Sequence, residues 1–419
     1  MRSAADGEPV MLALDPLLLG DITLGDVLIV VLKVVFIFVI GLVGTMLMVW
    51  FERKAIAGMQ NRIGPNKAGP LGILQTLADG IKLFFKEDLI PEKSDRFVFK
   101  LAPYLSFVPA FLVWAVIPLG GDFSNGKDGT IRLFGHSTML QLADPQIGVL
   151  FLLALSGISI YGIMLAGWSS GSKYPLLGSV RASAQMVSYE AALGLSMAGV
   201  ILIAGTLSTS GIVDKQDTFR NWHVVATGIL PFVIFLIAAT AELNRPPFDL
   251  VEAEQELVGG FNTEYSSIRF ALFFLAEFMN TITMSGVIVT LFFGGPQPLR
   301  LGDGRLANLL SFLGPLSGTV WFLLKLLVFL YIYVWFRATL PRLRYDQLMN
   351  LGWKVLIPLS LGWFMLLALL RIGDDRGWTN AHKIVAGGIG VVVLFTCASL
   401  LSVANKVSAR NREREGAMF

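Results

Sequence analysis

Carboxylates crowd one stretch of an otherwise apolar chain. Glu242, Asp249, Glu252, Glu254, Glu256 and Glu264 fall within residues 241–265, offset inside the segment by Arg245 alone. Two apolar runs, 224–241 and 267–293, flank it. Acids at the edge of a low-dielectric region hold protons more readily and can exchange them. A charge run is more often a solvated loop. Here Phe248, Leu250, Val251, Leu257, Val258 and Phe261 alternate with the acids, so part of the segment is expected to be buried. Pro246 and Pro247 end the preceding helix. Asp249 and Glu252 have the spacing of a capping box that opens a short helix, and Gly259 with Gly260 reads as its stop.

Further charges lie inside the apolar runs themselves. An ionisable group within a membrane span costs from a few to about 10 kcal/mol, so each needs a reason. Glu190 stands about two turns into one run, among the small residues Ala191, Gly194 and Ala198. Glu277 stands roughly 15 Å into another, and Asn280, Thr281 and Ser285 share its face as a polar stripe. Lys325 and Lys33 also lie in apolar runs, and Lys33 is near enough to a run's end to snorkel. The bland account is structural pairing that ties a bundle together. We favour the functional one for Glu190 and Glu277, which with Glu242 and the acidic loop make a file of carboxylates from mid-membrane to one face.

The elements that must hold these groups are helices. Of the 419 residues, 54% are hydrophobic and only 15% charged, against about 25% charged in soluble domains. The fold expected is all-α, a polytopic transmembrane bundle. Spans of about 20 apolar residues are read at 26–51, 101–120, 147–167, 184–206, 224–242, 267–293, 317–337, 353–371 and 383–404. Lys and Arg concentrate in the loops 52–100, 338–352 and 405–419. By the positive-inside rule the N-terminus is then outside and the C-terminus cytoplasmic, with the acidic segment facing the cytoplasm. Loops 121–146, 207–223 and 294–316 read as outward connectors. In the first long loop, Leu74, Leu77, Ala78, Ile81 and Phe85 share one helical face and Gln75, Asp79, Lys82 and Lys86 the other. That is an amphipathic helix at the membrane surface. Asp79 among lysines is odd for a mere anchor.

Other functions are excluded or left without support. Cys397 is the single cysteine, and His136, His223 and His382 are far apart, so no metal or cluster pattern is present. There is no phosphate-binding glycine motif. A net charge of +3 is too small to point to nucleic acid. Residues 1–21 contain acids and lack a continuous apolar core, so they are not read as a signal peptide.

Two long motifs carry a resemblance. One runs from Glu52-Arg53-Lys54 through Met59-Gln60-Asn61-Arg62-Ile63-Gly64-Pro65-Asn66 to Ala78-Asp79-Gly80-Ile81-Lys82-Leu83-Phe84. The other runs from Ala241 through Asn244-Arg245-Pro246-Pro247-Phe248-Asp249 and the acids to Glu264-Tyr265. With Arg337 to Met349 and Ser188-Tyr189-Glu190, they resemble the H-subunit family of respiratory complex I, also called the mitochondrial subunit 1 family. The resemblance covers about residues 26–371. Residues 1–25 are then an extracytoplasmic N-terminal segment, and 372–419 hold the ninth span and a basic tail outside the shared core.

The resemblance implies a membrane subunit of a proton-pumping NADH:quinone oxidoreductase, with no complete redox site in this chain alone. It implies a quinone chamber at the junction with a hydrophilic arm, entered from the lipid between the first span, the sixth span and the surface helix. Arg53, Arg62, Asp79 and Lys82 would stand near the chamber mouth. Arg245, Asp249, Glu252, Glu254, Glu256 and Glu264 would form its loop. Glu190, Glu242 and Glu277 would carry protons, with Lys325, Arg337 and Arg344 balancing their charge. Some relatives have a carboxylate in the third span, and 147–167 has none. Quinone, ubiquinone or menaquinone, is the implied substrate. FMN and iron-sulfur clusters are expected only in partner subunits of the hydrophilic and membrane arms. The location implied is the bacterial cell (inner) membrane. Related subunits serve hydrogenases and other dehydrogenases. A stand-alone proton-coupled transporter is the reading from a different class, and it leaves the long mixed-charge loops unexplained.

Overall fold

Apolar runs become helices here because no water is available inside a bilayer to satisfy free backbone groups. The computed structural model describes residues 15, 17, 23–123, 129–133, 135–250, 258–300, 311–379, 381–382, 385–393, 396 and 399. Its long helices are α1 (Leu24–Met59), α3 (Arg96–Trp114), α4 (Gly148–Ser169), α5 (Lys173–Ala204), α7 (Ser267–Phe292), α8 (Ser317–Thr339) and α9 (Tyr345–Asp375). All seven are long and apolar enough to cross a membrane, and α6 (Ile229–Glu242) is a shorter apolar helix among them. The surface helix α2 (Gln75–Phe85) lies in the first long loop. The protein is thus an all-α membrane bundle.

Local chemistry sets several ends. Thr23 and Asp26 form a reciprocal capping box at the start of α1. The Asp95 carboxylate accepts from the Phe97 and Val98 amides to start α3. Gly205, at φ +70, closes α5 in the left-handed conformation.

The core is organised on α7. In its most apolar window 72% of residues are buried, against 22% for α1, so α7 is central and α1 peripheral. Helices α3, α4, α5 and α6 pack in series, with α3 against α7 at one end, while α1 and α8 lie on another side of α7. Small residues let these backbones approach, which is the main source of helix contact within lipid. Gly162 of α4 faces the Ser106 hydroxyl of α3 with no room for a methyl group. A Cβ on Gly178 of α5 would lie 2.8 Å from the Cα of Gly260.

Four expectations need adjusting. The stretch 121–146, expected as a connector, holds two strands: β1 (Thr130–Leu133) and β2 (His136–Met139) pair antiparallel, with Ile131 opposite Thr138. The fifth span is broken near its start, where Gly228 (φ +79) separates the short helix His223–Ala226 from α6. The eighth begins earlier than read, at Tyr345, and passes through a π-helical turn at Gly352–Leu356. Lys33 does not snorkel. It pairs with Asp15 and donates to Thr138 Oγ1 of the hairpin at 2.9 Å. Half of the ninth expected span and most of the short helix expected after Asp249 lie outside the described residues.

Candidate functional site

Four charges from four segments alternate in sign at one end of the bundle. Glu52, near the end of α1, accepts from Arg245 Nη1 at 3.1 and 3.3 Å and also pairs with Arg337 of α8. Arg245 Nε stands 3.0 Å from Glu277 Oε1 of α7. The order is therefore Arg337, Glu52, Arg245, Glu277. Glu52 and Arg245 are 6% and 7% exposed. Neither would be tolerable alone, since an unpaired buried charge costs several kcal/mol. The Arg245 guanidinium also lies 4.2 Å from the Phe278 ring centroid, a cation–π contact.

The loop that carries Arg245 is held from α5. Gln185 Nε2 donates to the carbonyls of Ala241 (2.7 Å) and Phe248 (3.0 Å), on either side of Arg245, and lies 3.1 Å from Asn244 Oδ1. Arg342 pairs with Asp249 at 2.9 Å, and the Leu343 amide donates to the Pro247 carbonyl. Farther along the loop, Tyr265 donates to the Phe99 carbonyl at 3.1 Å, and burial pushes its phenol up to about 12.

Two cavities meet beside the quartet. One, of about 660 Å³, has Glu52, Arg62, Arg245, Glu277 and Arg337 in its walls. The other, of about 520 Å³, is an apolar slot between α1, α2 and α7, walled by Met46, Leu77, Ile81, Phe84 and Leu275. Val49, Arg53, Phe274 and Phe278 line both. The slot stays open because α2 is pinned at its two ends. Trp50 Nε1 donates to the Leu71 carbonyl at 3.0 Å just before it. Ser267 Oγ donates to the Leu83 carbonyl at 3.0 Å in its last turn. Arg53 and Asp79 pair at 2.7 Å across the slot, which explains an acid among lysines on this helix.

Deeper in the bundle, Glu242 is buried at the end of α6. Glu277 and Glu242 share the walls of a small cavity of about 50 Å³. A second, of about 20 Å³, lies between Glu242 and Ser156 of α4. Glu190 of α5 is half-buried, with its Oε1 against Gly157 of α4. So α4, which brings no carboxylate, contributes serines and a close backbone instead.

The expected site residues divide. The structure brings together Arg53, Arg62, Asp79, Arg245, Asp249, Glu277 and Arg337, and connects Glu242 to them through a cavity. Lys82 is exposed on α2, and Glu264 is half-buried in the loop before α7. Glu252, Glu254 and Glu256 lie outside the described residues. Two expected balancing charges stand elsewhere. Lys325 donates to the carbonyls of Phe293, Gly295 and Gln297 at 2.7 to 2.9 Å and lies 4.8 Å from the Trp222 ring, far along α8 from Arg337. Arg344 is exposed and pairs with Asp346. Sequence reasoning missed Glu52, Gln185 and Arg342 as site residues. The signal for Glu52 was an acid directly at the end of the first apolar run. Among the described residues, no three His, Cys, Asp or Glu side chains are grouped to hold a metal ion.

Comparison with known proteins gives a consistent set of relatives. The sequence model described as NADH dehydrogenase matches residues 32–368. Over 371 residues the chain is 51% identical to the H subunit of NADH-quinone oxidoreductase from Frankia casuarinae, covering 87% of this chain and 79% of that one. The subunit of the same name from Frankia alni is 50% identical over the same length. That of Streptomyces avermitilis is 46% identical over 397 residues, covering 93% of this chain and 84% of its own.

Proposed function

The chain belongs to the NADH dehydrogenase family, the family of the H subunits of NADH-quinone oxidoreductase, and on that premise we propose that it forms the membrane wall of a quinone chamber and passes the charge of quinone reduction to a file of carboxylates. It is a membrane subunit of an oxidoreductase complex. The observation that carries the finer reading is the apolar slot that shares Arg53, Phe274 and Phe278 with the charged cavity. An apolar corridor suits an isoprenoid tail, and a cavity walled by arginines and two glutamates suits a headgroup that gains negative charge on reduction.

The chemistry follows from the quartet. Reduction of a quinone to a quinol takes two electrons and two protons. FMN and iron-sulfur clusters in partner subunits would supply the electrons. New negative charge in the cavity draws the guanidiniums of Arg245 and Arg337 toward it. That loosens Arg245 from Glu277 and leaves a carboxylate free to take a proton. The small cavity beside Glu277 offers that proton a way to Glu242, and Glu190 stands beyond it on α5. We further propose that the quartet end faces the bacterial cytoplasm, where the loop carrying Arg245 and residues 52–100 dock the hydrophilic arm.

A photoreactive quinone tests this reading. Labelling should fall on residues 42–53, 74–84 and 271–278. Labelling confined to Tyr345–Asp375 would overturn it.

A further inference from the structure

The two small internal cavities share two non-titrating polar side chains, Asn280 of α7 and Ser159 of α4. Glu277 and Glu242 are in the walls of the first, and Glu242, Ser156 and Thr283 in those of the second. Asn280, three residues on from Glu277 along α7, lines both. Glu242 and Thr283 are 6% and 2% exposed, and Glu242 Oε2 and Thr283 Oγ1 have no hydrogen-bond partner within the protein. Buried polar atoms left unpaired are uncommon in folded proteins. A space of only ~10–15 Å³ holds one water where about two to four polar groups can bind it; these measure about 50 and 20 Å³, and polar side chains including Ser159, Glu242 and Asn280 stand in the walls of both.

The rest of the polar stripe on α7 behaves differently. Thr281 Oγ1 donates to the Glu277 carbonyl at 3.0 Å and Ser285 Oγ to the Thr281 carbonyl at 2.8 Å. Both hydroxyls are satisfied within the helix, and neither residue lines either of these two cavities. Of the three stripe residues Asn280 is the one that does; Thr283, outside the stripe, lines the second cavity.

We propose that Asn280 is a positioning residue that joins two internal water sites into one relay running from Glu277 past Glu242. This rests on the reading of these carboxylates as proton carriers. A carboxamide both donates and accepts hydrogen bonds, so it can orient water in either sense, and it takes up no proton itself. In the transfer, the Glu277 carboxyl gives its proton to a water in the first cavity, and a proton of that water goes to the Glu242 carboxylate. Glu277 becomes the carboxylate, Glu242 the acid, and the water is regenerated. Thr283 holds the water on the far side of Glu242.

The test uses the whole complex, purified and reconstituted in vesicles. Asn280→Leu should assemble and lose proton-coupled quinone reduction at least tenfold, with an increased D₂O isotope effect. Asn280→Ser, which restores a donor and acceptor, should recover most of it. Thr283→Val should act in the same direction, with Thr283→Ser restoring the rate. Ser285→Ala should match the parent. Should Asn280→Leu not assemble, the near-isosteric Thr283→Val pair decides, together with a high-resolution map that must hold water in both cavities. Normal coupling in Asn280→Leu or Thr283→Val, or dry cavities, overturns the proposal while a defective Glu242→Gln leaves the carboxylate path standing. Normal coupling in Glu242→Gln as well would bring down the path itself.

Discussion

Arg245 Nη1 and Glu52 Oε2 lie 3.1 Å apart although 193 residues separate them in the chain. Both are nearly inaccessible, and the pair ties the end of α1 to the loop after α6. Glu277 and Arg337 extend it to α7 and α8. The charged cavity therefore has its walls set by one network rather than by independent surface groups.

Arg245→Leu should be among the most damaging single changes at this site. It leaves Glu52 with Arg337 alone and Glu277 without its cation. Breaking a buried pair costs about 3–5 kcal/mol, less here on the Glu277 side because that side chain is 24% exposed. Assembled complex, measured on native gels, should fall several-fold. Arg245→Lys should recover part of it, since one ammonium cannot reproduce the fork that reaches Glu52 through Nη1 and Glu277 through Nε. Unchanged assembly in Arg245→Leu would contradict the network.

Arg53→Ala separates binding from stability. The Arg53–Asp79 side chains are 44% and 39% exposed, so the ion pair contributes at most about 1 kcal/mol. Assembly should be normal, while the KM for quinone rises because Arg53 lines both slot and cavity. Steady-state kinetics check this, and an unchanged KM with lowered assembly would reverse the assignment.

Leu77→Trp should narrow the apolar slot. Long-tailed quinones should lose kcat/KM by more than tenfold relative to a short-tailed analogue. Equal losses for both would remove the slot as the route.

How much of this was legible beforehand differs by element. The spans were readable because an apolar run of about 20 residues has few alternatives in a bilayer. Arg245 and Glu277 stood out as charges at or within such runs. Their partners did not, because pairing across 193 residues has no local pattern. Glu52 was hidden by the basic residues that follow it. Lys325 was misplaced for a related reason. A cation inside a span suggests a buried acid, but the turn at Gly294–Gly295 presents carbonyls that satisfy it instead. The hairpin at residues 130–139 was obscured by the Gly, Asp and Ser around two short strands. Gly259 and Gly260 read as a helix stop, whereas Gly260 is also where the loop backbone meets Gly178 of α5.

That contact yields its own prediction. A methyl group on Gly178 would meet backbone, which cannot turn aside as a side chain can. Gly178→Ala should cost about 1–3 kcal/mol and loosen the loop. Proteolysis within residues 251–265 should accelerate, and cleavage at the parental rate would show that the close approach is not required.

The most direct measurement of the central claim is the number of protons moved per electron pair in vesicles carrying Glu242→Gln complex, with assembled complex quantified in the same preparation. The glutamine keeps shape and hydrogen bonding but cannot exchange a proton. The account predicts normal assembly with proton movement abolished. Normal assembly with parental proton movement would contradict it.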